Sequence, residues 1–151
     1  MRIMSKGLKG EYSHSIDTKG RMIVPSKLRE PLGTSFVVTK GMDKCLMAYP
    51  NAEWDLFADQ LNALPKIDRD AREMKRFFVG SAVDCEVDNQ GRVLLPANLR
   101  EFAGIVKDVM IVGQLDYVEI WSKERWEQRN GGEEVDIDEL SGKIGQSGYK
   151  I

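Results

Sequence analysis

Apolar residues in this chain fall into short runs of a few residues, and glycine, proline or charged residues separate them. Short runs rich in branched and aromatic side chains are typical of strands rather than of long helices. On this basis the pattern predicts eight strands, at residues 10–17, 21–24, 36–40, 45–49, 82–87, 92–95, 109–112 and 117–121.

Helical spacing is found between these strands. Trp54, Phe57 and Leu61 recur at intervals of three and four, which predicts a helix after Pro50 with Asn51 as its N-cap. A Leu-Pro-Lys interruption at 64–66 ends that helix. The remaining helices are predicted at residues 26–32, from near residue 68, at 97–103, and after residue 122, whose serine is the expected cap.

One stretch of the sequence occurs twice, 71 residues apart, as Asp17-Thr18-Lys19-Gly20-Arg21 and as Asp88-Asn89-Gln90-Gly91-Arg92. Each copy continues through three apolar residues to a proline, and then to a Leu-Arg pair at 28–29 and 99–100. Both halves therefore give the order strand, turn, strand, short helix, strand, turn, strand, helix. A repeat of this kind fixes the architecture before any other feature of the chain.

Each repeated motif predicts a hairpin turn. An aspartate can accept hydrogen bonds from the backbone just after it, and glycine supplies the positive φ that such turns need. Arg21 and Arg92 then stand where the next strand begins, and each can project into solvent. The alternative is a stabilised β-turn in which the arginine only pairs with its own aspartate. The spacing alone leaves both interpretations open.

With these duplicated turns, the chain resembles the MraZ family of bacterial transcriptional regulators, which belongs to the AbrB-like swapped-hairpin class. Gly10-Glu11-Tyr12, the run 45–50 with Glu53-Trp54, and the run 112–114 with 119–121 agree as well, so the resemblance covers about residues 10–126. It implies an α+β fold in which two tandem swapped-hairpin units form an intrachain pseudo-dimer β-barrel with peripheral helices. The expected divisions are a first repeat at 10–54, a helical insert at 55–79, a second repeat at 80–129 and an acidic mobile tail at 130–151.

The resemblance also implies a function. We expect a sequence-specific DNA-binding regulator, a repressor, acting on repeated boxes in the promoter of its own cell-division and cell-wall gene cluster. Its partners would be double-stranded DNA and further copies of itself in a ring, with no cofactor and no metal, in the cytoplasm on the nucleoid. The DNA-binding residues would be Asp17, Lys19, Gly20, Arg21, Asp88, Gln90, Gly91 and Arg92.

Charge is unevenly distributed, although the whole chain carries a net charge of −2. Residues 1–30 hold seven basic and three acidic side chains, whereas residues 127–151 hold three basic and six acidic ones. A local basic region on an acidic protein is compatible with a DNA contact, and a solvated N-terminal arm is the alternative. Cys45 and Cys85 lie in strand-like runs and are expected to be reduced core residues. We expect neither a signal peptide nor a membrane span.

Other function classes have weaker support. His14 is the only histidine, no cysteine-histidine cluster has metal spacing, and Ser141-Gly142-Lys143-Ile144 lacks the rest of a phosphate loop, so we do not expect an enzyme. An oligomeric AbrB-like interaction module, or an antitoxin without promoter function, is the main alternative. The basic residues of the insert at 69–76 fit a nucleic-acid patch, a solvated face or a subunit contact.

The two turns differ at one position before the glycine, where Lys19 corresponds to Gln90. Residues 80–104 also hold two basic against four acidic side chains, in contrast to the basic N-terminal segment. Since cations drive phosphate binding, we expect the first turn to contribute more to DNA binding than the second.

Overall fold

The computed structural model of the protein describes residues 7–150, which contain eight strands and six α-helices. The strands are β1 (Glu11–Ser15), β2 (Arg21–Ile23), β3 (Ser35–Lys40), β4 (Leu46–Pro50), β5 (Val83–Glu86), β6 (Arg92–Leu94), β7 (Asp108–Gly113) and β8 (Val118–Ser122). The helices are α1 (Ser26–Leu32), α2 (Asn51–Asn62), α3 (Arg69–Phe78), α4 (Ala97–Ala103), α5 (Lys123–Gln128) and α6 (Ile137–Gln146). The predicted α+β class, with its duplicated order of elements, is confirmed.

The two halves of the chain are interleaved in one antiparallel sheet of order β1-β7-β8-β4-β3-β5. At one edge, β1 of the first half pairs with β7 of the second. At the other edge, β5 of the second half pairs with β3 of the first. The remaining strands, β2 and β6, pair with each other as a separate two-stranded ribbon. Each half thus completes the sheet of the other, as the swapped-hairpin resemblance implied.

The expectation of a closed barrel is wrong in one respect, because the six-stranded sheet is open and ends at β1 and β5. Each hairpin keeps a single bridge next to its turn, Ile16 to Met22 and Val87 to Val93. Beyond that bridge, the backbone groups of β2 form hydrogen bonds with those of β6. The ladders that would close the barrel therefore stop at the turns.

The main hydrophobic core lies between the sheet and the ribbon, and it draws on corresponding residues of both halves. Val24 and Leu95 follow the two ribbon strands, and Leu28 and Leu99 come from α1 and α4; all four are buried. A unit of roughly 45 residues can rarely bury a stable core alone, and here the two units share one. Cys45 and Cys85 are free and buried, as predicted, and burial raises the pKa of the Cys85 thiol to about 11.

Helices α2 and α3 pack on the outside of β3 and β4. Tyr49 stacks on Phe57 of α2 with ring centroids 5.2 Å apart, and Phe57 contacts Phe78 of α3 edge to face. The predicted cap at Asn51 is wrong. Pro50 takes the N-cap position, and the Asn51 side-chain amide instead donates to Ser35.

Two other helix starts follow ordinary capping chemistry. Asp68 accepts hydrogen bonds from the backbone N–H groups of Asp70 and Ala71 at the start of α3. At α5 the predicted cap is confirmed, because Ser122 Oγ accepts from the backbone N–H of Arg125 at 3.3 Å.

The tryptophans of α2 and α5 both pack against residues of the sheet. Trp54 contacts Tyr49, and Trp126 contacts Trp121, with ring centroids 5.8 and 5.4 Å apart. Both side chains are half-buried in the single chain, so packing within the chain accounts for much of their surface.

Candidate nucleic-acid interface

The first turn is held by a single aspartate whose carboxylate accepts three hydrogen bonds. Asp17 Oδ1 accepts from the backbone N–H groups of Lys19 and Arg21, both at 2.9 Å. Asp17 Oδ2 accepts from Arg21 Nε at 2.8 Å. Gly20 has a φ of 84°, in the left-handed region, and its N–H donates to the Asp17 carbonyl at 3.0 Å. The carboxylate therefore fixes both the turn and the direction of the arginine.

The second turn repeats this arrangement bond for bond. Asp88 Oδ1 accepts from the backbone N–H groups of Gln90 and Arg92 at 2.9 Å, and Oδ2 accepts from Arg92 Nε at 3.0 Å. Gly91 has a φ of 77°. The aspartate–arginine pair considered from the sequence is present in both turns. It engages only Nε of each arginine, so it is compatible with a further role for the guanidinium.

Both carboxyl groups are held in their charged form. The backbone N–H of Arg21 is the largest influence on Asp17 and lowers its pKa, against an opposing effect of desolvation. The backbone N–H of Arg92 does the same for the pKa of Asp88. Hydrogen bonds to a carboxylate favour its ionised form. Each arginine is thus paired with a full negative charge at neutral pH.

The ribbon brings the two arginines onto one surface. Arg21 lies opposite Leu94, and Ile23 lies opposite Arg92. Alternate residues of a strand share a face, so these four side chains lie on the outer face of the ribbon, while Met22 and Val93 between them are buried. Ile23 and Leu94 are 43% and 56% exposed. The outer face of the ribbon, defined by these four residues, thus combines two cations with two exposed aliphatic side chains.

The two turns lie at opposite ends of the ribbon, and each is bound to the other half. The Val24 N–H donates to the Gly91 carbonyl at 2.9 Å, and the Leu95 N–H donates to the Gly20 carbonyl at 3.0 Å. The hydrogen bonds of the two turns therefore also follow the pseudo-two-fold relation that the resemblance implied. Lys19 and Gln90 are exposed at the tips.

A second pair of arginines covers the turns in a crossed manner. Arg29 Nε donates to the Val24 carbonyl and Arg100 Nε to the Leu95 carbonyl, both at 2.9 Å. A Cβ placed on Gly91 would lie 2.6 Å from Arg29 Cζ, and one placed on Gly20 would lie 2.8 Å from Arg100 Cζ. Each glycine therefore allows both the positive φ and the close approach of an arginine from the other half.

The second pair of arginines is visible in the sequence as part of the repeat, but no role was predicted for it. The signal was the recurrence of the Leu-Arg pair at 28–29 and 99–100 in register with the turns. A chemical role could not be read from it, because the partner glycine of each arginine lies in the opposite half.

Other candidate residues lie apart from the ribbon. His14 is half-buried on β1 opposite Val109, and Arg2 and Lys6 of the N-terminal arm lie outside the described residues. Residues 7–150 contain no group of histidine, cysteine, aspartate and glutamate side chains suited to a metal. In the same range no helix is long and apolar enough to cross a membrane.

Comparison with known proteins agrees with the repeated geometry. The family model of the MraZ protein, which is also described as antitoxin-like, matches the chain twice, at residues 8–77 and 78–135. The chain belongs to the MraZ family. The two matches meet at the end of α3, so each contains one turn and one strand of the ribbon.

Curated MraZ relatives cover nearly the whole chain. A protein of Lachnoclostridium phytofermentans is 52% identical over 94% of this chain and 98% of its own length. Relatives from Clostridium beijerinckii and from Thermoanaerobacter are 50% and 51% identical, over 92% and 89% of this chain and over 97% and 94% of their own lengths. Each of the three is named transcriptional regulator MraZ.

Proposed function

We propose that this chain is a sequence-specific DNA-binding transcriptional regulator that contacts duplex DNA with the outer face of the ribbon and its two turns. The relatives' names support the function class. The observation that carries the site is that two arginines, each oriented by a charged aspartate, share one exposed surface. The proposal includes no catalytic step.

The chemistry of the site suits the edge of a base pair. A guanidinium has five N–H donors in a planar fork, and only Nε of Arg21 and of Arg92 is engaged by residues 7–150. The terminal nitrogens therefore remain able to donate. An arginine held in this way can address O6 and N7 of guanine bidentately.

The shape of the ribbon suits the major groove, which admits a two-stranded antiparallel ribbon. With the outer face of the ribbon turned toward the bases, Ile23 and Leu94 would contact thymine methyl groups beside the arginines. Lys19, Arg29 and Arg100 would contact phosphates, and Gly20, Gly91 and Gln90 would shape the tips of the turns. Asp17 and Asp88 would act as positioning residues, because each directs an arginine without contacting DNA itself.

One chain offers few base contacts, so the proposal extends to several copies. We infer a ring of identical chains that binds repeated boxes in the promoter of its own cell-division and cell-wall gene cluster, with repression as the outcome. Effective concentration over repeated boxes would raise a weak single-chain affinity by orders of magnitude. A protein with this role would lie on the nucleoid.

A second candidate is an oligomeric interaction module, or an antitoxin without promoter function, and the antitoxin-like description of the family favours it. It differs in its partner, which would be a protein rather than DNA. A pull-down with the full chain would then recover a toxin, and the outer face of the ribbon would have no base-specific role.

A gel-shift titration with the DNA upstream of the coding sequence tests the proposal. We expect the chain to shift this fragment at far lower concentration than a fragment with the repeated boxes scrambled. Arg21→Ala combined with Arg92→Ala should abolish the difference while leaving the circular dichroism unchanged. Arg69→Ala combined with Arg129→Ala is the matched control, since it removes two exposed arginines away from the ribbon. Equal shifts of both fragments by the unmodified chain would contradict the proposal.

A further inference from the structure

Helix α6 carries an apolar stripe that the single chain leaves exposed. Ile137, Leu140 and Ile144 follow at helical intervals and are 69%, 41% and 40% exposed. The helix begins at a proper cap, because Asp136 Oδ1 accepts from the backbone N–H of Glu139 at 3.1 Å. An isolated helix of this length is marginal in water, and an amphipathic stripe normally packs against a partner.

A groove of suitable character lies between α2 and α3. It has a volume of about 450 Å³, and its apolar lining consists of Leu61, Leu64, Pro65, Ala71 and Val79. No residue of α6 lines it, so α6 does not occupy the groove of its own chain. We refer to it as the α2–α3 groove.

The rim of the α2–α3 groove is basic and carries Lys66, Arg72, Lys75 and Arg76. Arg76 is paired with Glu73 at 2.7 Å. Lys75 donates to the Asn62 side chain, and Arg72 donates to the Lys66 carbonyl. Within residues 7–150, none of Lys66, Arg72 and Lys75 has a carboxylate within salt-bridge distance.

The segment that contains α6 has the opposite charge. Its acidic residues gather at and before the first turn of the helix: Glu133, Glu134, Asp136, Asp138 and Glu139. Lys143 is the one basic residue of α6, and it pairs with Glu139 at 3.2 Å. An acidic helix with an apolar stripe thus complements an apolar groove with a basic rim in both respects.

We propose that α6 of one copy of the chain docks in the α2–α3 groove of a second copy. The stripe of Ile137, Leu140 and Ile144 would lie on the apolar lining, with the acidic first turn against the basic rim. Such a contact is head-to-tail, and repeated head-to-tail contacts close into rings or extend into filaments. It uses no residue of the ribbon or its turns, so it stands independently of the proposed DNA site.

Light scattering on the full chain at low micromolar concentration tests the contact. We expect Leu140→Glu to lower the assembled mass severalfold, because it places a charge in the apolar stripe. Gln146→Glu adds the same charge on the opposite side of α6 and should leave the mass unchanged. Because α6 has no buried residue, neither change touches the core. An unchanged mass for Leu140→Glu would overturn the proposal.

Mixing two variants distinguishes a neighbour's groove from the chain's own. Leu140→Glu leaves the groove intact, and Ala71→Glu, in the groove lining, leaves α6 intact. When these two chains are mixed, one working contact can form, and we expect species of twice the chain mass that neither variant forms alone. Absence of the mixed dimer would contradict docking between copies.

The charged rim supplies a second groove variant in case Ala71→Glu disturbs α3. Arg72→Glu combined with Lys75→Glu reverses the charge of two of the four basic rim residues and leaves the apolar lining unchanged. We expect this variant to lose the assembly as well and to form mixed dimers with Leu140→Glu. Retention of the full mass by the rim variant would remove the electrostatic part of the proposal.

Discussion

The two turns share every hydrogen bond of their frame and differ in the charge at their tips. The carboxylates of Asp17 and Asp88 accept the same three hydrogen bonds from corresponding donors. At the position before the glycine, an exposed lysine in one turn corresponds to an exposed glutamine in the other. The shared residues therefore determine the geometry, and the residues that differ determine how strongly each turn would attract phosphate.

The interleaved fold makes the two turns more alike than their flanking sequences suggest. Along the sequence, residues 1–30 are basic and residues 80–104 are acidic. In the structure, Arg100 of the second half covers the first turn, and Arg29 of the first half covers the second. Each turn thus receives one arginine from the other half. Lys19 remains the clearest difference in charge between them.

The largest effect should come from replacing Arg21 or Arg92 alone. We expect Arg21→Ala and Arg92→Ala each to cost ~1–3 kcal/mol of specific binding per bound site, because each variant removes a bidentate interaction with a base. The cost should be larger for Arg21→Ala, whose turn also carries Lys19. Titrations at two salt concentrations measure both. Equal costs, or a larger cost for Arg92→Ala, would show that the difference in charge between the two turns does not affect DNA affinity.

Removing the positioning carboxylates should reduce specificity more than affinity. In Asp17→Asn and Asp88→Asn the side-chain oxygen can still accept the backbone hydrogen bonds, but Arg Nε no longer has a charged partner. We expect specific binding to fall about tenfold while non-specific binding rises slightly, since a negative charge near phosphate disappears. Competition with scrambled DNA measures the ratio of specific to non-specific affinity. A uniform decrease on both DNAs would indicate a role in folding instead.

The pH dependence of these pairs follows from the lowered pKa of both carboxyls. Stabilisation by a carboxylate of lowered pKa is complete above the unfolded pKa and is lost only as the pH falls through the folded one. The decrease in the free energy of unfolding that Asp17→Asn causes should therefore be the same at about pH 6 as at about pH 8, by the linkage relation. The same holds for Asp88→Asn. A change in either effect between these two pH values would contradict the charged assignment.

Exchanging the tip residues should have a smaller effect that depends on salt. We expect Lys19→Gln to weaken binding mildly on every sequence and to reduce the salt slope by about one unit for each phosphate that the lysine no longer neutralises. Gln90→Lys should strengthen binding, most clearly at low salt. Together the two changes exchange the tips and should reverse the ranking of the arginine variants. If Arg21→Ala still costs more than Arg92→Ala after the exchange, the difference between the two variants does not come from Lys19 and Gln90.

The smallest effect should come from the aliphatic side chains of the ribbon. Ile23→Ala and Leu94→Ala should each cost about 1 kcal/mol or less, as expected when an apolar side chain no longer covers a thymine methyl group. DNA in which uracil replaces thymine supplies the control, because it removes only the methyl groups. If the variants and the unmodified chain lose affinity equally on uracil DNA, these side chains do not contact the methyl groups.

The sequence predicted the local structure of the site better than its surroundings. Asp, Gly and Arg interact within five consecutive residues, so their spacing defines the turn and the pairing that the structure contains. The contact of Arg29 with Gly91 depends on how the halves interleave, and local spacing holds no information on it. The open sheet was missed for a similar reason, since the strand partners of β2 and β6 are decided by tertiary packing. At Asn51, the preceding proline displaced an expected cap.

The central claim is that Arg21 and Arg92 bind guanine in the major groove. Its most direct test is a double-mutant cycle in which the two arginines and the N7 atoms of guanine are removed separately and together. The unmodified chain and the Arg21→Ala, Arg92→Ala double variant are each titrated with the promoter fragment and with the same fragment synthesised with 7-deazaguanine. If the arginines read guanine in the major groove, the affinity of the unmodified chain falls at least about tenfold on the altered DNA, in line with the cost of one bidentate base interaction, whereas that of the double variant changes little. Equal decreases for both proteins would contradict base readout by Arg21 and Arg92.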